Sequence, residues 1–256
     1  MIKRAVFVVF MVLGVAGCGE DAAEGDEGDT AQVQVVASVL QLQDANGDVT
    51  QVRLAIVEDG AFVEDAVDPT ITLGDGTAIA LTAQAVRLSD GSTTKWYEAS
   101  SRSQAELVYT AGALARFDFA LNSTRARYST QVSMASQATQ LDPASEPGIG
   151  KDVDIVASGS FDGALLLVER LDTGEETYAS YPFRPELVAG PTDLPDGAAL
   201  KGIDAGVVTV PAQAFSRRGT HEVVFVGLEL SEGGDGVADR SVTFAGTARS
   251  TMLDIN

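Results

Sequence analysis

From Ala31 onward, apolar and polar residues alternate with a period of two, and no stretch of ten or more residues carries a helical period. Ala115, Phe117, Phe119 and Leu121 alternate with Arg116, Asp118 and Ala120. Tyr128, Thr130, Val132 and Met134 alternate with Arg127, Ser129, Gln131 and Ser133, and Val52, Leu54 and Ile56 line one face of a third segment. Successive side chains of a strand point to opposite faces, so each pattern describes a strand with one face on a core and the other in water. Asn46-Gly47, Asp59-Gly60, Asp75-Gly76 and Asp90-Gly91 punctuate these runs as hairpin-type turns, because glycine accepts the positive φ such turns need. Short strands separated by such turns predict an all-β, antiparallel sandwich or barrel. Hydrophobic residues make up 45% of the chain, enough to fill its core.

The alternation stops between Leu141 and Lys151, where LDPASEPGIGK holds two prolines and two glycines. This stretch is expected to link two β-sandwich domains, residues 31–141 and 152–256, with 142–151 as the linker. A single large sandwich spanning both halves is the alternative. In the second half Val153 and Ile155 open a strand, ALLLVER (164–170) is a nearly continuous apolar strand, and 177–181 is another. Residues 182–206, rich in Pro and Gly, form a long excursion. Strands over 206–215, 221–230 and 241–253 close the fold.

The first 17 residues are of a different kind. Lys3 and Arg4 precede an apolar run, Ala5 to Val15, and small residues then lead to Cys18. A basic start, about a dozen apolar residues and a small-residue cut site describe a secretory signal. The run is shorter than the roughly 20 residues a spanning helix needs. Val15-Ala16-Gly17-Cys18 resembles the lipobox of bacterial lipoproteins. The resemblance implies cleavage between Gly17 and Cys18, a diacylglyceryl thioether on the Cys18 sulfur, and a further palmitate-type acyl chain on the freed amine. Each buried methylene adds about 0.8 kcal/mol, so two or three chains hold a protein on a bilayer. Gly19 follows where some lipoproteins carry an Asp that retains them at the inner membrane, which points to the outer membrane. Residues 18–30 then read as an acidic tether. Six of the ten residues from Glu20 to Asp29 are acidic, and such a run self-repels and extends.

A second resemblance lies near the other end. Val208-Thr209-Val210-Pro211, then Phe215, then Gly219-Thr220-His221-Glu222-Val223-Val224-Phe225, resembles strand E, the corner and strand F of immunoglobulin-like and fibronectin type III-like domains. In those a Gly-x-Tyr-x-Val run opens strand F, and the tyrosine hydroxyl ties down the corner. His221 stands where that tyrosine would be. Arg127 to Val132 resembles a strand F or G. The resemblance implies an immunoglobulin-like fold and names no activity.

The formal net charge is −20. Removing Lys3 and Arg4 with the signal leaves 15 basic residues against 37 acidic ones, a charge of −22. Such a surface repels phosphate backbones, which disfavours nucleic-acid partners. Cys18 is the one cysteine and His221 the one histidine, so a disulfide within the chain and a site built mainly from Cys and His are both excluded. A serine or cysteine hydrolase of the triad type would depend on His221 as proton carrier, and its place at a strand opening fits a corner or surface role instead.

Asp44, Asn46 and Asp48 space oxygen side chains like the start of a calcium loop. Val49 and Ala55 stand where an EF-hand loop wants Gly and Glu, so a hairpin around Asn46-Gly47 is the preferred reading and calcium the alternative. Glu232, Asp235 and Asp239, set among glycines, read as a flexible loop. Trp96-Tyr97 is the single adjacent aromatic pair. On a strand one ring would face the core and the other water. No phosphate-binding glycine motif joins a strand to a helix, and no cofactor is expected.

The expectation is a lipid-anchored, outer-membrane protein of the cell envelope with a non-catalytic binding or structural role. Its β-sandwich domains would be presented to an unknown protein or glycan partner. The alternatives are a glycan-directed hydrolase using two carboxylates, or a carbohydrate- or calcium-binding module.

Overall fold

The structure, a computed structural model, describes residues 33–44, 47–180, 183–200 and 206–256. The expected signal (1–17), the tether (18–30) and the lipidation position lie outside them. Among the described residues sixteen strands follow in chain order: β1 (Val33–Asp44), β2 (Gly47–Glu58), β3 (Ala61–Phe62), β4 (Val67–Leu73), β5 (Ile79–Ala80), β6 (Thr82–Arg87), β7 (Thr93–Ser100), β8 (Leu114–Ala120), β9 (Arg127–Ser133), β10 (Leu141–Pro143), β11 (Val153–Ala157), β12 (Gly163–Arg170), β13 (Glu175–Ala179), β14 (Val207–Val210), β15 (Gly219–Glu232) and β16 (Val242–Ile255).

They form three sheets. The largest has nine strands in the order β13-β12-β15-β16-β1-β2-β7-β6, with β3 paired to β2. A four-stranded sheet runs β5-β4-β8-β9 and a three-stranded sheet runs β10-β11-β14. The fold is all-β with sandwich packing. The alternating runs around Phe117 and Val132 are β8 and β9, paired so that Phe117 faces Thr130 and Ala115 faces Val132. Between β2 and β3, Asp59 (φ 51°) and Gly60 (φ 78°) both take the left-handed conformation that a two-residue hairpin turn of this kind demands.

One face of the nine-stranded sheet carries both small sheets side by side. Val35, Val39, Leu54, Ile56 and Tyr97 pack against Ile71, Phe117, Phe119 and Val132 of the four-stranded sheet. Leu166, Val168, Val223, Phe225 and Leu253 pack against Val153, Ile155 and Val210 of the three-stranded one. β16 passes under both. Its Ala245 belongs to the first core and its Leu253 and Ile255 to the second, all on one side by strand alternation.

The two halves are therefore two sandwiches sharing one sheet, not two separate sets of sheets. The joint is a parallel pairing of β1 with β16, Val36 opposite Val242 through Gln41 opposite Thr247, the one departure from antiparallel order in this sheet among the described residues. The stretch expected as a linker contributes to β10, where Asp142 pairs with Val156 and Pro143 with Ile155. Proline is tolerated there because β10 is an edge strand.

The opposite face of the large sheet is covered by the excursion. Phe183, Val188, Leu194 and Leu200 lie on Val36, Ala55, Trp96, Leu165, Leu228 and Phe244. Phe183 stacks on Trp96 with ring centroids 4.7 Å apart and meets Phe244 edge-on at 6.1 Å. Coverage on both faces explains ALLLVER: Leu165 points into this core and Leu166 into the second sandwich, so polar alternation is lost. It also overturns the expectation for the aromatic pair. Trp96 and Tyr97 do point to opposite faces, but both faces are dry, and their exposures are 0% and 2%.

Candidate binding surface

Beyond the excursion, the sheet face that holds Trp96 opens into a polar groove of about 290 Å³. Gln51 and Arg53 of β2, Glu98 and Ser100 of β7, and Thr82 and Gln84 of β6 line it, with Ser103 and Gln104 at one end. Strand alternation puts Glu98 and Ser100 on the same face as Trp96. Arg53 Nε lies 3.1 Å from Glu98 Oε1, both side chains roughly three-quarters shielded. The end wall is a rigid turn. The Ser103 and Gln104 amides both donate to the Ser100 carbonyl at 3.0 Å, and the Thr50 amide donates to Ser101 Oγ at 3.0 Å. Gln104 Nε2 donates to the Ala80 carbonyl at 3.1 Å, which fixes the amide's orientation. Its Oε1 is shielded from water and has no hydrogen-bond partner. β6 forms the open border of the large sheet, and five of its six residues are exposed.

A second groove, about 450 Å³, lies on the four-stranded sheet near the bulge between Val67 and Thr70. Its Arg116 and Asp118 neutralise each other at 2.8 Å.

The residues singled out by sequence fall in scattered places. Gly17, Cys18 and Asn46 lie outside the described residues, as does the side chain of Asp44, whose backbone pairs with Gly47. Asp48 is exposed and accepts a 3.4 Å hydrogen bond from Gln43 Nε2. Among the described residues no group of three or more His, Cys, Asp or Glu side chains is placed to hold a metal ion. His221 is fully buried, so the surface role does not apply. Its Nδ1–H donates to the Gly219 carbonyl at 3.1 Å, and its ring meets Phe215 edge-on at 5.5 Å. That is a corner role: the imidazole pins the entry of β15 to the short 3-10 turn Ala212–Phe215. The loop expected to be flexible is tied to β9. Ser129 and Asp235 exchange backbone hydrogen bonds of 3.2 and 2.9 Å, and Thr130 Oγ1 donates to the Gly233 carbonyl at 3.0 Å.

One carboxyl pair emerges that no spacing in the sequence announced. Asp162, just before β12, is hydrogen-bonded to Glu229 of β15. Burial pushes the Glu229 carboxyl above its usual range, and the charge and hydrogen bond of Asp162 push the same way. Asp162 Oδ2 also accepts from the Leu230 amide at 3.0 Å.

No family of known proteins has a model that matches the chain, and no curated protein matches it. Among solved structures it is similar to red sea bream transglutaminase, at 11% identity and a TM-score of 0.22, over 88% of this chain and 31% of that one. It is similar too to a trypsin-activated alpha-2-macroglobulin from Escherichia coli, at 12% identity and a TM-score of 0.22, over 88% of this chain and 16% of that one. The chain spans less than a third of either. The strand order and the packing of both small sheets on the large one make this an all-β sandwich protein.

Proposed function

We propose that the chain is a lipid-anchored protein of the bacterial cell envelope, held on the outer membrane by acyl chains on Cys18, with a non-catalytic binding or structural role. The observation that carries this reading is the leader: basic residues, an apolar run and VAGC, ending at the chain's one cysteine. The acidic residues from Glu20 to Asp29 then act as a spacer between bilayer and body. The body presents an exposed border strand, β6, next to a preformed polar groove, and rigid elements with open polar borders suit docking of an envelope or extracellular partner.

Membrane fractionation and labelling with radioactive palmitate test the anchor. The native chain should sediment with membranes and take up label. Cys18→Ser should lose the label and move to the soluble fraction. A serine variant that stays on the membrane and is processed like the native chain overturns the proposal.

A further inference from the structure

We infer that the groove between β2, β7 and β6 is a binding site for an uncharged, polyhydroxylated ligand, a sugar residue or short glycan. The inference rests on the body being a binding module, and it is independent of the anchor.

Its volume, about 290 Å³, sits just below the roughly 300–1,000 Å³ range of small-molecule sites, which suits a small ligand. The lining is unlike the apolar lining usual for such pockets. It offers three side-chain amides (Gln51, Gln84, Gln104), three hydroxyls (Thr82, Ser100, Ser103) and one guanidinium–carboxylate pair. Arg53 and Glu98 cancel in charge. An ion entering the groove would gain no net attraction and would have to split that pair, and an anion would also meet the repulsion of a chain carrying −20. A neutral hydroxyl both donates and accepts, so it can bond to Glu98 and to Arg53 without separating them. At the end wall Gln104 Oε1 is buried without a partner, and an acceptor left unmatched is a standing cost that a small turn of this side chain toward a donor hydroxyl would relieve. The wall that carries it is held by the backbone bonds of the Ser100–Gln104 turn, so the backbone frame of the site is formed before any ligand arrives.

The test is titration of the full, isotope-labelled chain, followed by NMR amide shifts. The probes are glucose, galactose, mannose, N-acetylglucosamine and their β-linked disaccharides, with glutamate, lysine and a short strand-forming peptide as comparators. At least one sugar should give saturable shifts confined to residues around 51–53, 82–84 and 98–104, and the charged comparators should give none there. Gln84→Ala removes an exposed amide and should weaken that sugar about 5-fold or more, the equivalent of one hydrogen bond, with an unchanged melting temperature. Glu98→Gln, which keeps the shape beside Arg53, should weaken it at least as much. The inference is overturned if no sugar gives saturable shifts, if the shifts lie elsewhere, if both variants bind like the native chain, or if the peptide alone perturbs β6. None of these results bears on Cys18 and the anchor.

Discussion

Phe183→Ala probes how much the excursion contributes to the fold. The phenyl ring is fully buried, stacked on Trp96 and edge-on to Phe244. Truncating such a ring removes its transfer free energy and leaves a cavity, typically about 3–5 kcal/mol in all. The site decides where in that range the value falls. Trp96 Nε1 is buried with no hydrogen-bond partner, so the new cavity would open beside an unsatisfied donor. A water entering it would bond to the indole and recover part of the loss, which places the cost near the lower end, about 3 kcal/mol. At about 2–4 °C per kcal/mol for a chain of this size, the melting temperature should fall by roughly 6–12 °C. Trp96 is the one tryptophan, so its emission reports on the site directly. Urea titration should show the lost stability, and the folded variant should emit to the red of the native protein. Because both halves share one sheet, fluorescence and far-UV circular dichroism should give one coincident transition. Met252→Ala, at an exposed position on the same sheet face, serves as control and should change stability by less than about 0.5 kcal/mol. A loss below about 1 kcal/mol for Phe183→Ala, with unshifted emission, would refute the reasoning, because the excursion would then be an ornament on the sheet and not part of its core.

Two further outcomes follow from buried polar groups. Thr130 and Thr243 share a 2.6 Å hydroxyl–hydroxyl hydrogen bond between the small sheet and the large one, and Thr130 also donates to the Gly233 carbonyl. Thr130→Val should cost about 1–3 kcal/mol in urea unfolding, and adding Thr243→Val should recover part of it, because two apolar partners strand fewer groups than one. Glu229 has a raised carboxyl pKa in the folded state, so the native protein holds this proton at pH values where the unfolded chain has released it. Its contribution is favourable below the ordinary glutamate range and is lost as pH rises through the raised value. Glu229→Gln should therefore leave stability unchanged at acidic pH and raise it at neutral pH. Equal stability of the two proteins across that range would contradict the raised pKa that burial and the Asp162 charge give Glu229.

Local chemistry made part of this fold readable. The period-two runs of β8 and β9 announced half-buried strands, and Asp59-Gly60 announced its hairpin, because these patterns report on neighbours within a few residues. The Gly219–Phe225 run marked the corner, although the buried imidazole there had to be seen against Phe215 to be understood. What stayed hidden was long-range. The pairing of Val36 with Val242 joins segments some 200 positions apart, and no alternation pattern carries a partner's address. The second dry face of the large sheet was missed for the same reason: the Pro- and Gly-rich excursion that covers it reads locally as a loop, so Trp96-Tyr97 read as half exposed. The groove gathers polar residues from 51 to 104 with no recurring interval, and only the register of β2, β7 and β6 brings them together.

The parallel seam between β1 and β16 has a consequence for how the chain is made and moved. A polypeptide delivered from its N-terminal end exposes the inner border of the β1–β2 hairpin long before Val242–Ile255 has emerged to close it. Throughout that interval a row of bare amides and carbonyls is open to any stray strand, including the same segment of a neighbouring molecule. A product clipped ahead of residue 242 keeps that opening for good, which makes Val242–Ile255 the guardian of Val33–Asp44.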